Sequence, residues 1–186
     1  MRIKESPLPG LLIIEPKVFE DSRGYFYESF NRKSLMDVGV DVQFVQDNQS
    51  LSQFGVMRGL HYQLAPYAQS KLVRVLQGSV WDVAVDIRKN SPTFGHYFGM
   101  ELSAENKIQL FIPQGFAHGF AVTSPTAIFF YKCDCFYNPE AERGIHLNDP
   151  DLAIPWPIAE NEANISAKDK ILPVFKEATI NFVYRQ

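Results

Sequence analysis

The sequence predicts an all-β fold, a sandwich or barrel that is most simply a jelly roll, with short helices and an irregular C-terminal extension. Three observations predict it. Short extended runs succeed one another, separated at close intervals by Gly, Pro and Asn turns. One run alternates cleanly, with Trp81, Val83, Val85 and Ile87 on one face and Asp82, Ala84 and Asp86 interleaved on the other. Only one convincing helix falls in the first two-thirds of the chain. At 186 residues, 46% hydrophobic and 13% aromatic, the chain can bury a real core, and residues 1–186 are expected to form one domain.

Taken in order, Leu11–Ile14 is a buried strand stopped by Pro16. Asp21-Ser22-Arg23-Gly24 is a turn signal, and Tyr25–Phe30 a further short strand. Asn31 caps a helix that runs through Leu35 and Met36 and stops at Gly39. Val42–Ser52 is extended and carries the polar run Gln46-Asp47-Asn48-Gln49-Ser50. In the next strand, Val56–Gln63, uninterrupted alternation would put Arg58, Leu60 and Tyr62 on one face. Met57, Gly59, His61 and Gln63 would then take the other. Gly59 marks a close approach to the backbone, for instance by a ligand. Lys71–Leu76, Ser79–Arg88, Tyr97–Leu102, Ile108–Ile112, Phe120–Thr123 and Ala127–Phe136 complete the strands. After Asn148 the chain is irregular and pinned by Pro155 and Pro157, and a short helical piece begins near Ser166 and runs through Lys168, Asp169 and Lys170.

A net charge of −3 gives no general attraction to nucleic acid or an anionic membrane, so an anionic ligand needs locally placed Arg and Lys. Leu11–Ile14 is too short for a signal-peptide core and no stretch could span a bilayer, which leads to the expectation of a cytoplasmic protein. Cys133 and Cys135 stand two apart with no CxxC pair and are read as reduced thiols.

Two stretches carry chemistry. Arg58-Gly59-Leu60-His61 places a cation for an anion beside an imidazole. Pro113-Gln114-Gly115-Phe116-Ala117-His118 has the P-x-G-x-x-H spacing of the second half of the cupin signature, in which a turn delivers a histidine to the barrel interior. Metal-binding cupins supply an H-x-H pair and a glutamate from the first half. Here that place reads His61-Tyr62-Gln63. Two histidines fall short of the three or four ligands that hold a catalytic metal, so neither a metal nor another cofactor is expected.

On these motifs the chain resembles the dTDP-4-dehydrorhamnose 3,5-epimerases, a metal-independent branch of the cupins. The resemblance runs nearly end to end: Asp21–Gly24 with Glu28-Ser29-Phe30, Gln46-Asp47-Asn48, Arg58–His61, Lys71–Arg74, Ser91–Gly95, Pro113–Gly119, Tyr131-Lys132-Cys133, Asn148-Asp149-Pro150 and Lys168-Asp169. Leu147 stands where the family has a tryptophan, and Gln49 where a histidine is common. The resemblance implies a homodimeric cupin-type jelly roll acting on a dTDP-4-keto-6-deoxy sugar, whose C3 and C5 hydrogens are both alpha to the C4 carbonyl. Inverting such a centre requires a base, an acid on the opposite face, and positive charge or donors at the enolate oxygen. By resemblance His61 is the base, Asp169 its orienting carboxylate, Tyr131 the acid and Lys71 the group at the enolate.

The same resemblance assigns Arg23, Arg58 and Lys71 to the diphosphate. It gives Gln46, Asn48, His118, Glu28, Glu142 and Lys168 to further substrate contacts, and Tyr137 to stacking on thymine. The Arg23–Glu28 segment serves across the subunit interface in that family. The nearest alternative is an epimerase of one centre only, C3 or C5. A metal-dependent cupin is disfavoured by the broken H-x-H, and a sugar-binding jelly roll would have no use for a paired acid and base. His96 and His146 are read as surface or turn residues.

Overall fold

Strand follows strand through residues 1–184, the part of the chain that the computed structural model describes. In chain order these are β1 (Arg2–Glu5), β2 (Leu12–Glu15), β3 (Phe19–Asp21), β4 (Gly24–Phe26), β5 (Gln46–Gln53), β6 (Val56–Gln63) and β7 (Lys71–Gln77). They continue as β8 (Ser79–Asp86), β9 (Tyr97–Ser103), β10 (Gln109–Ile112), β11 (Phe116–Val122), β12 (Thr126–Cys133), β13 (Glu142–Gly144) and β14 (Asn164–Ile165). Helix α1 is Arg32–Met36 and α2 is Ala167–Lys170. Asn31 caps α1, its side-chain oxygen accepting the Ser34 N–H at 3.3 Å, and Gly39 takes positive φ just beyond the end.

Two antiparallel sheets face each other, as the all-β reading expects. The first has the order β1-β2-β10-β7-β12-β5 and the second β13-β6-β11-β8-β9, with β14 joining β6 in parallel. Between them Val73, Val75, Ala127, Phe129, Leu110 and Ile112 of the first sheet meet Val80, Ala84, Phe116, Phe120 and Val122 of the second. The second sheet is also apolar on its outer face. There Leu60, Tyr62, Val83, Val85 and Ala117 are buried under Ile145, Leu147, Leu152, Ile154 and Phe182 of the C-terminal extension. The outer face of the first sheet buries Leu12, Ile14, Leu72 and Phe111 against Leu35 of α1. Leu147 is 1% exposed and fully part of this packing.

Some expected boundaries move. The strand expected over Phe120–Thr123 begins at Phe116, so His118 sits within β11 rather than in the turn before it. Its register explains the early start, since Phe116 already pairs with Asp86 of β8. The strand expected to reach Phe136 stops at Cys133, where its ladders with β5 and β7 both end. Asp134 then accepts the Ser70 N–H at 2.6 Å and turns the chain away. Cys133 and Cys135 are free thiols, as expected.

The alternation expected for β6 fails. His61 pairs with His118 of β11 and Arg58 with Phe120, so three steps on β6 match two on its partner. This bulge turns Arg58 and His61 to the same side, while Met57, Leu60 and Tyr62 go outward into the core beneath the extension. The close approach expected at Gly59 is made by a neighbouring strand. Its φ is +127°, and a Cβ there would lie 2.5 Å from the Gly119 Cα.

Candidate active site

A cavity of about 420 Å³ opens between the two sheets. The first sheet lends it Asn48 and Ser50 from β5, Lys71 from β7, and Phe129 and Tyr131 from β12. The second lends Arg58 and His61 from β6 and His118 and Phe120 from β11, and Ser166, Lys168 and Asp169 close it from the start of α2. Eight of the residues singled out in the sequence therefore line one space: Asn48, Arg58, His61, Lys71, His118, Tyr131, Lys168 and Asp169.

His61 and Asp169 meet across 108 residues, with His61 Nε2 at 2.7 Å from Asp169 Oδ1. The caps of α2 explain the placement. Ser166 accepts the Asp169 N–H at 3.1 Å, which fixes a four-residue helix whose one buried side chain is Asp169. Asp169 is 4% exposed. Burial pushes its carboxyl up, but hydrogen bonding and charge from His61, the Gly59 N–H and Ser166 outweigh that and hold it below its ordinary value. An ionised carboxylate only accepts, so His61 donates its Nε2–H to it and Nδ1 is left with a lone pair.

Lys71 and Tyr131 lie on the opposite sheet. The Lys71 Nζ is 5.8 Å from the centre of the Tyr131 ring. Burial lowers the Lys71 ammonium from its usual range, and Cys133, Asp82 and Glu142 offset part of that. Burial also pushes the Tyr131 phenol up to about 12, so it holds its proton throughout the neutral range. Arg58 reaches back to the Ser52 hydroxyl, 3.2 Å from its Nη2.

Gln46, Tyr137 and Glu142 form the rim. Gln46 donates to Asn48 at 3.1 Å and accepts the Tyr137 N–H at 2.9 Å. The Tyr137 hydroxyl donates to Glu142 Oε2 at 2.7 Å, and Lys168 pairs with the same oxygen. Burial raises the Glu142 carboxyl, while these two bonds prevail and leave it lowered. Arg23 and Glu28 are not brought to this cavity. Arg23 sits at the tip of the exposed β3–β4 hairpin, its Nη2 2.6 Å from Asp21, and Glu28 is exposed beyond it.

Sequence reasoning passed over Phe120, Phe129, Ser166 and Asp82. The signal for Asp82 was present, as the polar face of the alternating strand; that face turns inward, and Asp82 is fully buried against His118. His96 is exposed and His146 accepts the Asn148 N–H in a turn, both as expected. Among the described residues no three His, Cys, Asp or Glu side chains converge to hold a metal ion.

The family model described as dTDP-4-dehydrorhamnose 3,5-epimerase matches residues 5–177. A Shigella flexneri protein of that name is 58% identical over 159 residues, covering 85% of this chain and 88% of its own. The crystal structure of an Elizabethkingia anophelis dTDP-4-dehydrorhamnose 3,5-epimerase superposes with a TM-score of 0.92 at 56% identity, covering 95% of this chain and 97% of that one. A Legionella pneumophila dTDP-6-deoxy-D-glucose-3,5-epimerase in complex with dTDP-4-keto-L-rhamnose superposes at 0.91 with 52% identity, covering 95% and 93%.

Proposed function

This chain belongs to the dTDP-4-dehydrorhamnose 3,5-epimerase family, and from that we propose that it inverts C3 and C5 of dTDP-4-dehydro-6-deoxy-D-glucose to give dTDP-4-dehydro-L-rhamnose. The observation that carries the reading is the position of the His61–Asp169 pair on one sheet, with Tyr131 and Lys71 on the other, around one cavity. Base and acid attached to opposing walls suit a reaction that removes a proton from one face of a sugar ring and returns one to the other.

The chemistry follows from the protonation states. His61 Nδ1 takes the proton from C3 or C5, and the C–H electron pair moves into the ring bond to C4 and onto the C4 oxygen. Lys71 donates to that oxygen as charge builds there. Tyr131 then delivers its proton to the opposite face of the same carbon. His61 loses its proton to solvent and Tyr131 regains one from it, so each turnover changes configuration and nothing else.

Arg58 and Lys71 serve the diphosphate, with Arg23 supplied by a second copy of the chain. Gln46, Asn48, His118, Glu142 and Lys168 position the nucleotide sugar, Glu28 reaches it from the second copy, and Tyr137 stacks on the thymine. Support for a homodimer comes from the β3–β4 hairpin, which leaves Phe19, Tyr25 and Phe26 more than half exposed, and from β5, which among the described residues pairs only with β12. Residues 1–186 act as a single catalytic domain, without a metal or other cofactor, in the cytoplasm. The test is NMR of the product formed from the 4-keto substrate by purified protein. Inversion at both carbons is expected, and inversion at one alone would assign the chain to a single-centre epimerisation.

A further inference from the structure

His118 and His61 are direct cross-strand neighbours on β11 and β6, and each is backed by a buried carboxylate. Asp169 serves His61. The carboxylate behind His118 is Asp82, on β8 one strand further in, with Oδ2 2.9 Å from His118 Nε2. Asp82 is fully buried and His118 is 7% exposed. The ring is held from the side by Phe129, stacked at 6.0 Å and 24°. Asp82 Oδ1 has no hydrogen-bond partner among the described residues. Across the interior Asp82 faces Lys71, where it offsets part of the lowering that burial imposes on that ammonium. His118 lines the cavity while Asp82 does not, and Nδ1, the other ring nitrogen, has no bond to the protein among the described residues.

We propose that Asp82 is a positioning residue for sugar recognition: it holds His118 as the Nε2–H tautomer, so that Nδ1 meets the substrate as a hydrogen-bond acceptor for the C2 hydroxyl. This rests on the function proposed above. An acceptor on this wall selects for a donor on the ligand. The diphosphate and the C4 ketone have none, and within the hexose only the C2 and C3 hydroxyls do. The C3 hydroxyl changes face as C3 is inverted. The C2 hydroxyl keeps its configuration, so a fixed acceptor serves it before and after the reaction. Asp82 acts through His118 and touches no reacting atom.

Three measurements test this. In ligand-free wild-type protein labelled with ¹⁵N-histidine, His118 is expected to carry its proton on Nε2 and to have a bare Nδ1; a protonated Nδ1 on a neutral ring overturns the proposal without any variant or substrate. Asp82→Asn should lower kcat/KM for the 4-keto sugar by roughly 10- to 100-fold, while dTDP, which has no hexose, still binds within about twofold. The deciding readout is the analogue lacking the C2 hydroxyl, because an acceptor left unpaired by its ligand penalises that ligand. Wild type should discriminate against it by at least about tenfold, and Asp82→Asn by no more than about threefold. Equal discrimination by both proteins overturns the proposal. Wild-type protein that neither binds dTDP nor turns over any 4-keto sugar would instead overturn the epimerase reading, leaving the tautomer result standing by itself.

Discussion

Replacing Asp169 with asparagine should disable the base while leaving the cavity intact. The carboxylate makes two contacts through different oxygens: Oδ1 lies 2.7 Å from His61 Nε2, and Oδ2 accepts the Gly59 N–H at 3.5 Å. An amide cannot reproduce both. With its NH2 toward His61 it forces Nε2 to accept, which moves the imidazole proton to Nδ1 and removes the lone pair that takes the substrate proton. With its NH2 toward Gly59, two N–H donors face each other in a site that is 4% exposed and has little access to water. Either arrangement loses a charge-assisted bond of about 1.5–3 kcal/mol, and the first adds the cost of restoring the productive tautomer. A loss of about 2–4 kcal/mol at the transition state follows, or about 30- to 1000-fold in rate. The assay is NMR of the substrate in heavy water, following deuterium uptake at C3 and C5, with dTDP affinity as the control for folding. Exchange at the wild-type rate in Asp169→Asn, with dTDP binding retained, would refute the assignment of this pair.

Four further outcomes are expected. Tyr131→Phe keeps His61 and Lys71, so deuterium should still enter C3 or C5 with retained configuration and little L-sugar should form; full epimerisation in that variant would remove Tyr131 as the acid. Tyr137→Ala should weaken dTDP by ~1–3 kcal/mol in calorimetry if a base stacks on the ring. Activity should persist through exhaustive chelation, and recovery with one added metal after loss would contradict the donor set. Burial pushes the Asp86 carboxyl up, but Arg88, Ser91 and Thr93 overcome this and hold it below its ordinary value of 3.8. Its stabilisation is thus present above about pH 3.8 and is lost as the pH falls through the lower folded value. Asp86→Ala should cost about 3–5 kcal/mol at pH 7 and flatten the acid limb of urea-unfolding stability; wild-type and variant curves that run parallel below pH 4 would show otherwise.

The sequence by itself determined the class of fold and nominated the groups proposed to react. Apolar runs punctuated by Gly, Pro and Asn admit few architectures other than packed β-sheets, and the caps at Asn31 and Ser166 are local chemistry that a few neighbouring residues settle. The order of motifs from Arg58 to Asp169 singled out His61, Tyr131 and Lys71 as candidates, and all three line one cavity. Alternation names two faces of a strand without saying which one meets the cavity. Both faces of β8 are buried, one under the C-terminal extension and one between the sheets, so the acidic face carrying Asp82 was as easily assigned to solvent. On β6 the bulge opposite β11 overrode the alternation and swung Arg58 and His61 to one side, a result of pairing between strands about 60 residues apart. The His61–Asp169 bond and the burial that keeps Tyr131 protonated likewise exist only once distant segments pack. They depend on distances through space and on excluded water, neither of which is a property of any stretch of chain alone.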